Sequence, residues 1–349
     1  MIESIDRNLV KWEDHILDLS PVEQVGGLWF KREDKYAPLG YGGINGSKLR
    51  VCIHLIATAV QHGAKGVVHG AVTGSPQHPM VACIAAHFGI PVVDCIGTKN
   101  PAEHDTLEAA KWMGAQFRSF NPGYAATLNS KAHQLSQGEL AGYYHLETNI
   151  TLDDKMNSAN DIEAFHRVGS EQVKNIPDDV DTLIVPAGSC NSVTGVMYGI
   201  ARFRPPNLRR VILMGIGSFG SSDPAYIQRR LNLIGGVTGD DMDSVFRYSW
   251  NKAQPMVPYE VLHYNVNHGC GGCSKCTDGY VTYNDLMPYD FGGIEFHPRY
   301  EGKMFHFMKD HLGEFRQYFK PTTMFWIVGS KPDARKMIPH LKARFGDLA

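Results

Sequence analysis

At 349 residues, with 43% hydrophobic and 20% charged positions, the chain has the make-up of an ordinary globular protein, long enough for two domains or one large one. A formal net charge of −2 gives no basic field to drive nonspecific binding to nucleic acid or membrane. No uninterrupted apolar run approaches the roughly 18 residues of a membrane span, and the amino terminus, with Glu3, Asp6 and Glu13, lacks a signal peptide's apolar core, so a cytoplasmic protein with no membrane partner is expected.

The first informative segment is Gly42-Gly43-Ile44-Asn45-Gly46-Ser47-Lys48, a glycine-rich turn that runs into the apolar stretch Val51 to Val60. A lysine at such a helix start can project its amine into a cleft, where desolvation favours the neutral form that Schiff-base chemistry needs. Taken alone, Lys48 reads more readily as a solvated loop lysine.

Gly66 to Val68 is a strand candidate, followed by His69-Gly70-Ala71-Val72-Thr73-Gly74-Ser75-Pro76-Gln77-His78-Pro79 and the helical stretch Met80 to Phe88. Ser75 reads as the N-cap, Pro76 as the first helical residue and Gly89 as the stop. This helix start can clamp a substrate carboxylate through Thr73, Gly74 and Ser75, with the Ser75 hydroxyl also placed to act as a catalyst. A capping serine with no further task is the plainer alternative. Val92 to Ile96 is the next strand, and the polar run Thr148 to Asn160 can carry the chain back between domains. A small domain is therefore expected at about residues 52–160, with a large one built from 1–51 and 161–349.

Leu183 to Val185 is a buried strand that leads through Pro186-Ala187-Gly188-Ser189-Cys190-Asn191-Ser192 into an apolar helix. Small residues let backbone N–H groups approach phosphate oxygens, the helix start adds partial positive charge, and Ser189, Ser192 and Thr194 offer hydroxyls, so the segment suits an anion. No lysine follows as in a nucleotide P-loop; a tight strand-to-helix connection is the alternative. After the strand Val211 to Met214, Gly215-Ile216-Gly217-Ser218-Phe219-Gly220 fits a dinucleotide fingerprint, with Asp240 and Asp241 about twenty residues on. It comes late in the chain, and Ser221-Ser222-Asp223-Pro224 interrupts the helix packing that the third glycine serves, so dinucleotide binding is disfavoured.

His268-Gly269-Cys270-Gly271-Gly272-Cys273-Ser274-Lys275-Cys276 gathers three of the seven cysteines at C-x2-C-x2-C spacing. Zinc held by His268, Cys270, Cys273 and Cys276 is the favoured reading; an iron–sulfur cluster with a fourth ligand from elsewhere, or a loop of free thiols, stays open. Cys52, Cys83, Cys95 and Cys190 read as ordinary buried thiols. The last strand candidate, Thr322 to Val328, leads to Ser330 at a strand end, where ligands gather in an open α/β sheet. Strands alternating with helices mean parallel sheets covered by helices, an α/β protein.

In this order the segments resemble the tryptophan synthase beta-like superfamily, the fold-type-II pyridoxal-phosphate enzymes, and within it the branch of 1-aminocyclopropane-1-carboxylate deaminase and D-cysteine desulfhydrase. Trp29-Phe30-Lys31-Arg32-Glu33-Asp34 is similar to the family's early "hKREDh" strand, and Lys48 falls where its Schiff-base lysine is expected. Lys111-Trp112-Met113-Gly114-Ala115 resembles "xxLGA", Gly188 to Gly195 the phosphate loop GTGGTxxG, Asp278-Gly279-Tyr280 the "GGYG" segment, and Ile294 to Lys303 the late "lLDPVYtGK". The resemblance implies two parallel-sheet, three-layer domains with pyridoxal 5′-phosphate in the cleft between them, and a homodimer. It implies cofactor contacts from Lys48, from Gly188, Ser189, Cys190, Asn191 and Ser192 at the phosphate, and from Ser330 at the pyridine nitrogen.

The departures carry information too. Cys190 and Asn191 replace two phosphate-loop glycines, and Pro76 stands where the family usually carries an asparagine for the cofactor's phenolic oxygen, for which Gln77 or Asn45 can substitute. Gly292 stands where a glutamate of the deaminase is expected, so Ser330 facing the nitrogen implies a neutral pyridine and favours β-elimination or replacement. The Cys-rich insertion at 263–280 would rebuild a wall beside the site. The leading expectation is a lyase or deaminase of a small free amino acid. A second keeps the cofactor but places the amino-acid group on a larger carrier such as a modified nucleobase in DNA, where decarboxylation becomes possible and nucleic acid becomes a partner. A third, a non-catalytic binding protein on a degenerate fold, is disfavoured by the presence of both Lys48 and the phosphate loop.

Overall fold

The computed structural model describes residues 15–38, 44–216, 224–244, 260–266, 281, 285–329 and 339. In chain order these form β1 (Val22–Val25), β2 (Leu28–Arg32), α1 (Ser47–Gln61), β3 (Gly66–Gly70), α2 (Gln77–Phe88) and β4 (Val92–Ile96). Then come α3 (Asp105–Trp112), β5 (Gln116–Ser119), α4 (Ala125–Gln137), β6 (Tyr143–Leu146), α5 (Ala159–Ser170), β7 (Thr182–Ala187) and α6 (Asn191–Phe203). The last are β8 (Arg210–Gly215), α7 (Pro224–Thr238), β9 (Glu260–Asn265), β10 (Asp290–Phe291), β11 (Ile294–Glu295), α8 (Glu301–Asp310), α9 (Leu312–Phe315) and β12 (Thr323–Ile327). The chain divides into two compact units, one of residues 1–16, 37–156 and 331–349, the other of 17–36 and 157–330.

The first unit is built on a four-stranded parallel sheet in the order β5-β4-β3-β6. Every residue of β3 and β4 is buried, as parallel strands covered on both faces require. A Cβ on Gly70 would lie 2.3 Å from the Leu128 carbonyl, so α4 can rest against the end of β3 only because that position is glycine. The apolar face of α1, Leu49, Cys52, Ile53 and Ile56, is buried, and the helix packs against α2. Lys48 therefore travels with this smaller unit, whereas the expected boundary put residues 1–51 with the larger one.

The second unit carries a six-stranded sheet in the order β1-β2-β12-β7-β8-β9, parallel except for β1, which forms a hairpin with β2. Phe30, Phe296, Phe305 and Phe325 form an aromatic core on this sheet, with Phe296 and Phe305 centroids 4.4 Å apart. Helices α5, α6 and α7 pack on one another. Because β12 and β7 are parallel neighbours, the segments that follow Ile327 and Ala187 leave the sheet at the same edge. That edge is where an open α/β sheet places ligands.

Candidate active site

In the first unit, Lys48 is the second residue of α1 and is half-buried. The turn before it is held by Gly46 at φ 96°, a conformation that only glycine adopts without strain. Asn45 is buried, and Ser47 Oγ is a buried oxygen with no hydrogen-bond partner among the described residues.

Ser75, expected to cap α2, lies one residue before the cap; its Oγ accepts the Gln77 N–H at 3.2 Å, and Gly89 closes the helix in the left-handed region at φ 68°. The helix begins at Gln77, with Pro76 in the capping position rather than inside. Ser75 N–H donates to Val72 O at 2.8 Å, so residues 72–75 make a tight turn with Gly74 exposed at its tip. Gln77 Nε2 donates to His69 Nδ1 and to Glu147 O, each at 3.3 Å, while its Oε1 is buried without a partner among the described residues. Under this turn lies a group that sequence reasoning missed: His69, His78 and Asp94, all fully buried. Two histidines on separate elements and an aspartate amid the apolar run Val92 to Ile96 have no common spacing. Only the pairing of His69 with Asp94 across β3 and β4 brings them together.

In the second unit, Gly188, Ser189 and Cys190 form the turn between β7 and α6. Cys190 takes φ 63°, ψ −3°, so it keeps a left-handed backbone although it carries a side chain. Asn191 Oδ1 accepts the Tyr226 hydroxyl at 2.5 Å, and Asn191 Nδ2 lies 3.4 Å from Ser189 Oγ. Thr194 does not offer its hydroxyl to an anion, because Oγ1 donates to Cys190 O at 2.9 Å within the helix. The Tyr300 ring bounds the space in front of Gly188, 3.7 Å from where a Cβ would stand.

Two further groups at the start of α8 were not singled out from sequence. Glu301 is fully buried; burial pushes its carboxyl up to about 8, although Oε1 accepts the Val328 N–H at 2.6 Å. Lys303 is also buried, and burial, helped by Arg299 and opposed by Asp285, lowers its amine to about 8. Ser330, expected at the pyridine nitrogen, and His268, Cys270, Cys273 and Cys276, expected to hold zinc, lie outside the described residues, as do Gly217 and Gly220 of the fingerprint-like stretch. Cys52, Cys83, Cys95 and Cys190 are buried free thiols, as expected.

The second unit offers a feature that suits a phosphate: a 13-residue helix opens on a turn of small residues, and the first N–H groups of a helix have no partner within it. Residues 15–225 match the sequence pattern of the family described as pyridoxal-phosphate dependent enzyme, and the chain belongs to that family. A relative from Salmonella phage ViI, named an O-seryl-dTMP PLP-dependent decarboxylase, is 35% identical over 377 aligned positions, covering 94% of this chain and 85% of the relative. Among solved structures, an ACC deaminase homologue has a TM-score of 0.64 at 16% identity, covering 93% of this chain and 94% of that one. The processed form of threonine deaminase isoform 2 from Solanum lycopersicum has a TM-score of 0.54 at 14% identity, covering 97% and 89%. The expected α/β fold of the fold-type-II kind is thus borne out, and the protein is a pyridoxal-phosphate-dependent enzyme. No helix among the described residues is long and apolar enough to cross a membrane.

Proposed function

We propose that this enzyme is a decarboxylase that removes the carboxyl group of an amino acid carried on a nucleotide base. The observation that supports this best is the 35% identity to the phage O-seryl-dTMP decarboxylase, which runs through 94% of the chain and so through both units. The deaminase structures, at 14% and 16% identity, speak for the fold alone and give a free amino acid no comparable support.

In this reading the C–COO⁻ bond of the seryl group breaks, carbon dioxide leaves, and one proton is taken up at the α-carbon. When bound, the cofactor supplies an electron-withdrawing ring that accepts the electron pair left at that carbon. Lys48 would hold the cofactor through its amine and, as the amine beside the reacting carbon, would deliver the proton that the α-carbon takes up. Gly188, Ser189, Cys190, Asn191 and Ser192, with the start of α6, hold the phosphate. Asn45 is the group for the phenolic oxygen, since both Gln77 Nε2 hydrogens go to His69 and Glu147 O, and Ser330 and the protonated Glu301 carboxyl are the groups for the ring nitrogen. Thr73, Gly74 and Ser75 receive the substrate's carboxylate. A homodimer, a cytoplasmic location and a structural zinc at His268, Cys270, Cys273 and Cys276 complete the reading.

The test is incubation of the cofactor-loaded enzyme with O-seryl-dTMP and, separately, with L-serine. Release of carbon dioxide and appearance of the 2-aminoethyl nucleotide from the first alone is the expected result. Turnover of L-serine to pyruvate and ammonia, with the nucleotide untouched, would return the free-amino-acid lyase to first place.

A further inference from the structure

The buried charges beneath residues 72–75 have no role in the chemistry above, yet they control how that turn is presented. Asp94 is fully buried in the middle of β4. Burial works to raise its carboxyl, but the charge and hydrogen bonds of His69 and His78 outweigh this and hold it at about 2. His78 Nδ1 is 3.0 Å from Asp94 Oδ2, and His78 Nε2 is 3.2 Å from Val72 O. A carbonyl can only accept, so the contact to Val72 O is a hydrogen bond donated by His78 Nε2. Gln77 Nε2–H donates to His69 Nδ1 at 3.3 Å, and His69 Nε2 lies 2.7 Å from Asp94 Oδ1.

The geometry of the peptide then sets the outward face. In a planar trans peptide the carbonyl and the following N–H point in opposite directions. Val72 O is drawn inward by His78 Nε2–H and by the Ser75 N–H, so the Thr73 N–H points the other way. Thr73 O is drawn in by the Thr106 hydroxyl at 2.6 Å, so the Gly74 N–H is turned out as well. No backbone carbonyl among the described residues accepts either N–H, and Gly74 is exposed. Two adjacent amides held outward make a receptor for an anion.

We propose that His78, seated on Asp94, together with Thr106, are positioning residues that hold the Val72 and Thr73 carbonyls inward and so present the Thr73 and Gly74 N–H groups to the carboxylate of an amino-acid substrate. This rests on the reading of residues 73–75 as the carboxylate clamp and adds what orients it.

The experiment compares probes that differ only by a carboxylate, O-seryl-dTMP against its 2-aminoethyl counterpart and L-serine against ethanolamine. Binding is followed through the absorption of the cofactor-loaded enzyme. The wild type should favour the carboxylate-bearing member of the pair it binds by about tenfold or more, the worth of a charge-assisted hydrogen bond. His78→Gln, Asp94→Asn and Thr106→Val should erase most of that preference while keeping cofactor affinity, and Thr106→Ser should restore it. Nitrogen-15 spectra of the wild type should show His78 with hydrogen on Nε2, hydrogen-bonded to Val72 O. Should Asp94→Asn fail to fold, the Thr106 pair and the spectra still decide. A wild type with no preference would remove the clamp reading and the inference with it. A preference that survives Thr106→Val and His78→Gln would leave the clamp standing and overturn the inference, as would a His78 ring without hydrogen on Nε2 or stoichiometric zinc bound by His69 and His78.

Discussion

Glu301 Oε1 accepts the backbone N–H of Val328 at 2.6 Å, which ties the first residue of α8 to the segment leaving β12. The carboxyl is fully buried, and Oε2 has no hydrogen-bond partner among the described residues, so the charged form is poorly solvated and the group is raised to about 8 from 4.5. Below about 4.5 the folded and unfolded chains both keep this proton. Between there and about 8 the unfolded chain loses it and the folded chain retains it, so this group lowers stability as pH rises across that window. Glu301→Gln, which keeps an oxygen for Val328, should flatten the decline in urea-unfolding free energy and exceed the wild type by about 1–3 kcal/mol on the alkaline side. Parallel curves for the two proteins would show that Glu301 is ionised throughout.

Lys48 has a rival. The buried Lys303 amine, lowered to about 8, is the more readily deprotonated kind of nucleophile. The position of Lys48 at the start of α1, with its family context, outweighs that advantage. Borohydride reduction of the loaded enzyme followed by peptide mass spectrometry should place the cofactor on the peptide containing Lys48. Lys48→Ala should abolish the attachment, and Lys303→Met should not. Cofactor fixed to Lys303 would overturn the assignment.

What could be read from sequence follows the range of the forces involved. The strands β3, β4, β7, β8 and β12 and the cap of α2 are local: runs of Val, Ile and Leu bounded by Gly and Pro, and a serine two residues before the N–H that it accepts. The turns that precede α1 and α6, before Lys48 and at residues 188–190, were legible as glycine-rich or small-residue segments at helix starts. The His69, His78 and Asp94 group was not, since its members meet only through strand register and the packing of α2. Glu301 escaped for a related reason. Nothing in Tyr300-Glu301-Gly302-Lys303 by itself says that the glutamate faces inward.

If His268, Cys270, Cys273 and Cys276 close a structural site, the purified protein should carry about one zinc per chain, since a four-ligand shell leaves no open position and binds tightly enough to survive purification. Cys273→Ser should lower that content and weaken substrate binding while leaving the Lys48 linkage intact. A brown protein with iron and sulfide would point to a cluster, and metal-free protein with full activity would leave the cysteines as thiols.

Cys190 offers the sharpest test of the phosphate turn. At φ 63° an L side chain costs about 1–2 kcal/mol relative to glycine, and a β-branched one cannot relieve the crowding by changing rotamer. Cys190→Gly gains that backbone relief and loses a small buried thiol, so its unfolding free energy should stay within about 1 kcal/mol of the wild type. Cys190→Val should lose about 2 kcal/mol or more, and because the residue immediately precedes α6, its affinity for pyridoxal phosphate should fall with it. Urea unfolding and a fluorescence titration with the free cofactor check both. Equal stability and equal affinity for the glycine and valine variants would mean that the left-handed turn at Cys190 is not what shapes the phosphate cradle.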